Sequence, residues 1–301
     1  MKITVIGHFC VDVFRSAGGI EEKKFGGIFH SVAALANIAS ERDTIYPVFG
    51  VGEREFEEVH SALTQYKNIN DEGIFQFSGE SNSVLYDEEN PNERSLNVSK
   101  PIQFSHIKKF LNVDGVYINM ISGNDITVDT IDEIRLEVRG KKTPIHLDMH
   151  CLSLQVNEDG TRSRKPLADW RRWCFMTDSV QMNEEEASEI SLEHYSDELL
   201  AKHIMPLMTK MFVITRAEKG ATVYQEEHKQ LLMTEITSEA NPEPISTIGS
   251  GDIFGAAFMY HYLKKKNYIE AVTFAQKTAA FSTKYPLSEK HQQLKAMREL
   301  I

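Results

Sequence analysis

The apolar and polar positions along the chain predict alternating buried strands and amphipathic helices. A short β-branched run at 3–6 ends at Gly7 and is typical of a central parallel strand. Residues 31–40 are rich in alanine, which favours a helix. From about residue 105 the alternation becomes regular, with strands predicted at 115–119, 144–148, 179–182 and 212–215 and helices at 127–139, 184–190 and 197–210. This order predicts a doubly wound α/β fold, a mostly parallel sheet flanked by helices.

The rest of the pattern completes the domain. Two strands at 221–224 and 230–236 are predicted to pair at one edge of the sheet. Three further helices are predicted at 250–265, 269–283 and 288–300. No repeat or linker interrupts the chain, so we predict one α/β domain over residues 1–301.

Residues 74–100 depart from the alternation and predict a small β insertion. Runs at 74–77 and 83–86 are typical of strands, and the acidic stretch 87–93 contains asparagine and proline and predicts a turn. Together with residues of about 13–25, this insertion is expected to form a small β lid on the main domain.

Composition and charge exclude several classes of protein. Hydrophobic residues make up 41% and charged residues 26% of the 301 residues, which is ordinary for a soluble globular protein. Lys and Arg number 33 against 44 Asp and Glu, so the net charge is −11. An acidic chain argues against nucleic-acid binding, although a local site can still attract an anion.

The N-terminus and the cysteines favour the cytoplasm. The first apolar run is short, is closed by Asp12 and lacks a cleavage site, so we interpret it as a strand and not as a signal peptide. No apolar stretch approaches the length of a membrane span. Cys10, Cys151 and Cys174 lie far apart and form no CxxC pair, which favours reduced thiols.

The segment at 247–254, TIGSGDIF, carries the strongest candidate chemistry. Gly249 and Gly251 stand just before a predicted helix, where a backbone without Cβ atoms can approach a ligand closely. The free N–H groups of the helix start would favour an anion there. Asp252 could accept the proton of a hydroxyl that attacks a phosphoryl group. The alternative is a turn in which Asp252 only complements the helix dipole. The segment is not a P-loop, because the pattern ending in Gly-Lys-Ser/Thr is absent.

The longer segment STIGSGDIFGAAF resembles the C-terminal signature of the ribokinase-like carbohydrate kinases, the PfkB family, which is roughly D-T-x-G-A-G-D-x-F. The chain keeps the threonine, both glycines, the aspartate and the phenylalanine, with Ser250 in place of alanine and Ser246 in place of aspartate. The resemblance implies an ATP-dependent kinase with Asp252 as catalytic base. It also implies that four residues bind the donor phosphates: Thr247, Gly249, Ser250 and Gly251.

An N-terminal stretch resembles the part of the same family that binds the acceptor. GGIFHSVAALA is similar to G-G-x-x-x-N-V-A, with Ser31 at the asparagine, which implies that Gly26, Gly27 and Ser31 line the acceptor pocket. For Ser31 an ordinary N-cap is the alternative. Asp12 follows the first strand, where ligands collect in such sheets, and its carboxylate could accept bonds from two hydroxyls. A solvated or capping aspartate is the alternative.

A further acceptor residue is expected after a central strand. Asp148-Met-His resembles D-x-N, with His150 at the asparagine; the resemblance implies that Asp148 binds the substrate, and we interpret His150 as structural. Arg164 lies in a longer predicted loop from which it could reach a substrate or phosphate. The preferred interpretation is a solvated loop arginine.

Two segments resemble the donor side of the family. Asn183-Glu-Glu-Glu186 is similar to N-x-x-E, which implies contacts of Asn183 and Glu186 with Mg²⁺ through water. A capping box is the alternative. The stretch from Thr215 to Gly220 is similar to T-x-G-x-x-G, with Ala217 at the first glycine, and implies nucleotide contacts; a hairpin turn at Gly220 is the alternative.

The sequence therefore predicts a kinase that uses ATP and Mg²⁺ to phosphorylate a hydroxyl of a sugar or small polyol. Two alternatives stay open: a nucleoside kinase of the same fold and a catalytically silent sensor. The sensor is favoured by the departures from the family pattern at Ser31, His150, Ala217 and Ser246. The retained Asp252 argues against it. A dinucleotide-binding enzyme is disfavoured because no GxGxxG follows the first strand. The expected partner is a small molecule, with neither nucleic acid nor membrane, and a homodimer through the lid is a further expectation.

Overall fold

The computed structural model describes residues 1–239 and 243–301. The strands are β1 (Lys2–Ile6), β2 (Phe9–Arg15), β3 (Glu21–Gly27), β4 (Thr44–Gly52), β5 (Ile74–Phe77), β6 (Asn82–Asp87), β7 (Asn90–Asn97), β8 (Gly115–Asn119), β9 (Ile145–Asp148), β10 (Leu154–Val156), β11 (Arg162–Arg164), β12 (Ser179–Asn183), β13 (Met211–Thr215), β14 (Ala221–Glu227) and β15 (Gln230–Ile236). The helices are α1 (Ile28–Ile38), α2 (Phe56–Thr64), α3 (Phe104–Ile107), α4 (Val128–Arg139), α5 (Trp170–Phe175), α6 (Glu184–Glu189), α7 (Asp197–Ile204), α8 (Ser250–Lys265), α9 (Tyr268–Ser282) and α10 (Lys290–Gln293).

Nine strands form the main sheet, in the order β15-β14-β13-β12-β9-β8-β1-β4-β5. The seven strands from β13 to β5 are parallel, and β14 and β15 pair antiparallel at one edge, as the sequence predicted. The chain proceeds outward from β1 to β4 and β5 on one side, and from β8 to β13 on the other. The order therefore reverses between β1 and β8, which is the point where such sheets bind ligands. The predicted α/β fold class is confirmed.

A separate four-stranded sheet, with the order β3-β2-β6-β7, forms the lid. The lid thus takes its strands from Phe9–Gly27 and Asn82–Asn97. The strand Ile74–Phe77, which the sequence analysis placed in the insertion, instead pairs with β4 at the edge of the main sheet. The amide of Ser95 in the lid donates to the Gly160 carbonyl at 2.9 Å, so the β10–β11 hairpin touches the edge strand of the lid.

Helix α8 is the central helix of the C-terminal half. Nearly all of its residues from Asp252 to Leu263 are buried, and it packs against α9 and α1. A helix that is apolar all round is expected inside a protein and not on its surface. Its start lies in the half-buried to exposed Gly-Ser-Gly segment, and the buried residues from Asp252 onward anchor the helix in the core.

Several predicted boundaries differ from the structure. Helix α7 ends at Ile204, six residues before the predicted end, because Pro206 has no N–H to continue the helix and a 3₁₀ turn, Met205–Leu207, follows. The predicted helix at 288–300 is a single α-turn followed by the 3₁₀ helix Leu294–Leu300. Strand β4 was not predicted; Pro47 and two glycines interrupt its apolar run.

The helices of the described residues are all too short or too polar to cross a lipid bilayer.

Candidate active site

The carboxyl ends of four neighbouring parallel strands each carry a polar residue. The strands β8, β9, β12 and β13 end at Asn119, Asp148, Asn183 and Thr215 respectively. Because parallel strands end at the same edge of a sheet, these side chains lie together below the lid. Three of them, Asp148, Asn183 and Thr215, line a cavity of about 760 Å³.

The cavity runs from the lid to the C-terminal helices. Asp12, Val84 and Tyr86 line it on the lid side, and the start of α8 lies along it. Its far end is lined by residues from the β13–β14 turn, from the segment after β15 and from α9 and the residue that follows it: Ala217, Ser238, Gln276, Ala279, Ala280 and Thr283. One continuous space therefore joins the lid, the helix start and the far edge of the sheet.

Asp252 lies in the first turn of α8, at the middle of this cavity. Its side chain is almost completely buried, and Asn119 Nδ2 donates a hydrogen bond of 2.6 Å to its Oδ1. The same Nδ2 lies 3.2 Å from the hydroxyl oxygen of Ser31. A charge-assisted hydrogen bond of this kind fixes the carboxylate in one orientation and leaves its other oxygen available.

The two glycines before Asp252 meet different structural demands. Gly249 caps α8 with φ of 74°, and a Cβ there would lie 2.7 Å from the ring of His30. A Cβ on Gly251 would meet no protein atom within 4 Å. Gly251 also lines the cavity, so the space beside it is free for a ligand. The first N–H groups of a helix have no acceptor within the helix, and they can bind an anion in that space.

Asp148 and Gln181 connect the sheet to the start of α8. Gln181 Nε2 donates to Asp148 Oδ2 at 2.8 Å and to the carbonyl of Gly251 at 3.2 Å. Burial raises the pKa of Asp148 well above its ordinary value; the charge of His150 opposes this shift, and those of Glu186 and Asp252 add to it. Asp148 can therefore hold a proton where an ordinary aspartate would not.

Glu186 and Asn183 form the capping box that the sequence analysis considered as the alternative to a metal contact. The amide of Glu186 donates to Asn183 Oδ1 at 2.8 Å, and the amide of Asn183 donates to Glu186 Oε2 at 2.9 Å. Burial raises the pKa of Glu186, while His150, the Asn183 amide and Arg164 lower it. Both residues also line the cavity, so the cap does not exclude contact with a ligand.

The described residues offer no group of three or more His, Cys, Asp or Glu side chains that could hold a metal ion by themselves. The oxygens of Glu186 and Asn183 suit Mg²⁺, which keeps several waters and is usually bound through one or two carboxylates together with substrate phosphates. The donor set therefore fits a Mg²⁺ that arrives with phosphate, and not a site formed by the protein alone.

Arg164 is not the solvated loop arginine that the sequence favoured. It lies in the short strand β11 with 14% of its side chain exposed, and its Nη2 is 3.6 Å from Glu186 Oε1. His150 lies near the same carboxylate, with Nδ1 at 4.0 Å. Burial lowers the pKa of His150, but Cys151, Asp252 and Asp148 raise it by more than burial lowers it. The pKa of His150 is therefore well above its ordinary value. Two basic side chains therefore lie beside Glu186 at the cavity.

Asp12 lies within β2, in the lid sheet, and not directly after β1. It is buried, and His30 Nε2 lies 3.6 Å from its Oδ2. A Cβ on Gly26 would lie 2.3 Å from the same carboxylate oxygen, so glycine is needed there for Asp12 to fit. The side chain of His30 is buried, and its Nε2 has no hydrogen-bond partner among the described residues. His30 and Asp12 both line the cavity and present polar atoms to it.

Three predicted site residues do not line the cavity. Ser31 lies within α1, whose N-cap is Gly27, so the N-cap interpretation is wrong; its hydroxyl bonds instead to the Asp252 carbonyl, at 3.3 Å. Gly26 lies behind Asp12. Gly220 forms a turn, and its carbonyl accepts from the Arg216 amide at 2.7 Å.

The other predicted residues line the cavity. They are Asp12, Gly27, Asp148, Asn183, Glu186, Thr215, Thr247, Gly249, Ser250, Gly251 and Asp252. Three further residues of this region, His30, Asn119 and Gln181, were not predicted. Asn119 ends a predicted strand and could have been found by the strand-end argument, whereas His30 and Gln181 lie in apolar stretches without a distinguishing signal.

Comparison with known proteins supports the resemblance found in the sequence. Residues 151–291 match the family model described as pfkB family carbohydrate kinase. Solved structures of ribokinase-family proteins resemble the chain over nearly its whole length. The resemblance to the ribokinase-like, pfkB-family carbohydrate kinases is confirmed. The description of this family model agrees with the predicted class of enzyme, a carbohydrate kinase.

Three solved structures illustrate the likeness. A pyrophosphate-dependent kinase of the ribokinase family, complexed with a pyrophosphate analogue and myo-inositol, has a TM-score of 0.78 at 17% identity and covers 98% of this chain and 99% of its own. Fructokinase from Vibrio cholerae O395, bound to fructose, ADP and calcium, has a TM-score of 0.78 at 17% identity, with 99% of both chains covered. Ribokinase from Thermotoga maritima has a TM-score of 0.73 at 15% identity, again with 99% of both chains covered.

Identities this low establish the fold of the chain and leave its donor and acceptor open. No protein with curated annotation is significantly similar to the chain in sequence.

Proposed function

We propose that the chain transfers the γ-phosphoryl group of ATP to a hydroxyl of a sugar or related small polyol, with Asp252 as the general base. The observation that carries the proposal is the start of α8. There a buried carboxylate, oriented by Asn119 at 2.6 Å, stands beside the open space at Gly251. A proton acceptor and an anion-binding helix start are the two elements that phosphoryl transfer requires.

The acceptor would lie below the lid, with its hydroxyls on Asp12 and His30. The attacking hydroxyl gives its proton to Asp252 while its oxygen forms the new bond to the γ-phosphorus. The bond from that phosphorus to the bridging oxygen of ADP breaks, and ADP leaves with the bonding electrons. The amides at Gly251 and Asp252 would stabilise the charge on the equatorial oxygens. Asn183 and Glu186 would hold Mg²⁺ through water, and the cation would supply neutralisation of charge at the donor phosphates.

ATP is proposed as donor because of the far end of the cavity. Beyond the phosphate region the space continues between Ala217, Ser238, Ala279 and Thr283. A nucleoside would occupy that end, whereas pyrophosphate would leave it unused. The pyrophosphate-dependent relative makes this choice of donor a central point to test.

The acceptor is proposed to differ from that of a typical ribose or fructose kinase. His150 stands where the family has asparagine, and its imidazole is bulkier than that amide and faces the cavity, which His30 also lines. Ser31, at the other family asparagine, is shorter than asparagine. A polyol or nucleoside that can accept hydrogen bonds from these rings would fit. Clear preference for ribose or fructose would show that these histidines do not shape the pocket.

A matrix of donors and acceptors tests the proposal. Purified protein is incubated with ATP or pyrophosphate, Mg²⁺, and fructose, ribose, myo-inositol or nucleosides, and the products are identified by mass spectrometry. Phosphorylated polyol and ADP in equal amounts support the proposal, and the Asp252→Asn variant serves as the control. Transfer only from pyrophosphate would refute the donor. Nucleotide or sugar binding by calorimetry, without turnover of any pair, would identify a silent sensor instead.

A further inference from the structure

A fully buried lysine lies beside the phosphate-binding segment and takes no part in the mechanism proposed above. Lys290 begins the short helix α10 and has no exposed surface. Its ammonium donates to three oxygens of one loop: the carbonyl of Ser246 at 3.0 Å, the hydroxyl of Ser246 at 3.3 Å and the carbonyl of Ile248 at 2.7 Å. All three donors of the ammonium group are therefore used.

The charge of Lys290 has no close counterion. No carboxylate of the described residues forms an ion pair with it, and Asp252 is the acidic group whose charge influences its pKa. Burial lowers the pKa of Lys290 to about 8, while the charge of Asp252 opposes this shift. An unpaired buried ammonium is costly for a protein, since it loses its hydration. Space filling alone would be served better by methionine or leucine.

The three hydrogen bonds determine how the loop presents its amides. In a trans peptide the carbonyl and the following N–H point in opposite directions. Holding the carbonyls of Ser246 and Ile248 on the ammonium therefore turns the N–H groups of Thr247 and Gly249 away from Lys290. Thr247 and Gly249 both line the cavity. The lysine thus fixes the peptide planes that lead directly into the start of α8.

We propose that Lys290 is a positioning residue, an internal cation that holds loop 246–248 in the conformation in which the start of α8 receives the phosphoryl group. This inference rests on the proposed function. Lys290 does not line the cavity, and its hydrogen bonds go to the loop and not to Asp252, so it acts through the loop. Its positive charge behind the loop also favours negative charge in front of it.

Two variants separate the charge from the space that it fills. Lys290→Met keeps a chain of similar length and removes the cation. Lys290→Ala removes the cation as well and leaves a space lined by the same three oxygens, which ammonium or methylammonium can occupy. Because loss of a direct charge-stabilising donor costs about 10²–10³ in kcat, an indirect effect of about 10–100-fold is expected in both variants, with the KM of the acceptor little changed.

Rescue by added cations decides the matter. Ammonium chloride should restore kcat in Lys290→Ala by about tenfold, and should leave Lys290→Met and the native protein unaffected; choline chloride controls for ionic strength. A native kcat in Lys290→Met, or no rescue of Lys290→Ala, would overturn the proposal.

A second readout does not depend on turnover. Ammonium should raise the Tm of Lys290→Ala more than choline does, and more than it raises the Tm of Lys290→Met. Absence of this selective shift refutes the cation site even if Lys290→Ala proves too unstable to assay. If the native protein phosphorylates nothing, the proposed function fails, whereas the selective shift still reports on the cation site.

Discussion

Replacement of Asp252 by asparagine would remove the proposed proton acceptor while keeping the shape of the side chain. Asn119 Nδ2 donates to Asp252 Oδ1 at 2.6 Å, and an asparagine can accept this bond only through its own oxygen. Its NH₂ group would then occupy the place of the second carboxylate oxygen. The attacking hydroxyl would meet a donor where it now meets an acceptor.

The expected loss follows from this geometry. General-base catalysis contributes about 10²–10⁴-fold to the rate. We expect a fall in kcat of about 10³-fold, because Asn119 would hold the new amide with its NH₂ group toward the attacking hydroxyl. This corresponds to about 4 kcal/mol in the activation free energy. ATP affinity should change little or tighten, since a negative charge near the phosphates is lost.

The assay compares kcat by coupled ADP release with the Kd of the nucleotide by calorimetry. Asp129→Asn, in the exposed first turn of α4, is a matched control and should behave like the native protein. Thermal unfolding verifies that both variants are folded. A folded Asp252→Asn protein with nearly native kcat would refute the assignment of the base.

Three further outcomes are expected. Asp12→Asn should raise the KM of the acceptor and lower kcat, because the buried carboxylate would bind substrate hydroxyls; an unchanged KM would contradict this role. Glu186→Gln should raise the Mg²⁺ concentration needed for half-maximal activity more than it raises the acceptor KM, and full activity of the native protein in excess chelator would contradict the metal contact. Amides of β6 and β7 should exchange hydrogen more slowly when the acceptor binds, because β7 is the edge strand of the lid sheet and most of its described side chains are exposed or half-buried; equal rates with and without acceptor would argue against a closing lid.

The main sheet could be predicted from the sequence because its central strands are short apolar runs with little ambiguity. The strand at 115–119 and the helix at 250–265 were predicted with the bounds that the structure has. Strand β4 was missed because Pro47 and two glycines interrupt its apolar run. One of these glycines, Gly50, is required by packing, since a Cβ there would lie 2.7 Å from the ring of Phe75. Local pattern does not reveal a glycine that is demanded by a distant neighbour.

The site was predictable only where its residues are contiguous. The segment TIGSGDIF places the candidate anion-binding helix start and the carboxylate of Asp252 within one turn. The local sequence is therefore enough to predict that they lie together. Asn119 and Lys290 act on that turn from residues more than 35 positions away, and only the fold brings them there. Lys290 stands between a glutamate and a histidine, a polar context that predicts an exposed residue.

Departures from the family pattern are partly explained by the backbone. Ala217 stands where the family has glycine, and its φ is 46°, in the left-handed region that favours glycine. His150 stands where the family has asparagine and has φ of 37°. The backbone at both positions thus keeps a conformation suited to the family residue.

The charges around the cavity bear on how a phosphate donor could bind. Asp148, Glu186 and Asp252 are all more than nine-tenths buried, and burial raises the pKa of the first two. Arg164 and His150 offset part of this charge, but Arg164 is already paired with Glu185 and Glu186. A free polyphosphate would be repelled by those of these carboxyl groups that are ionised, and a chain of net charge −11 offers no general attraction to compensate. The carboxylates would therefore favour a donor that enters together with its divalent cation over the free polyanion.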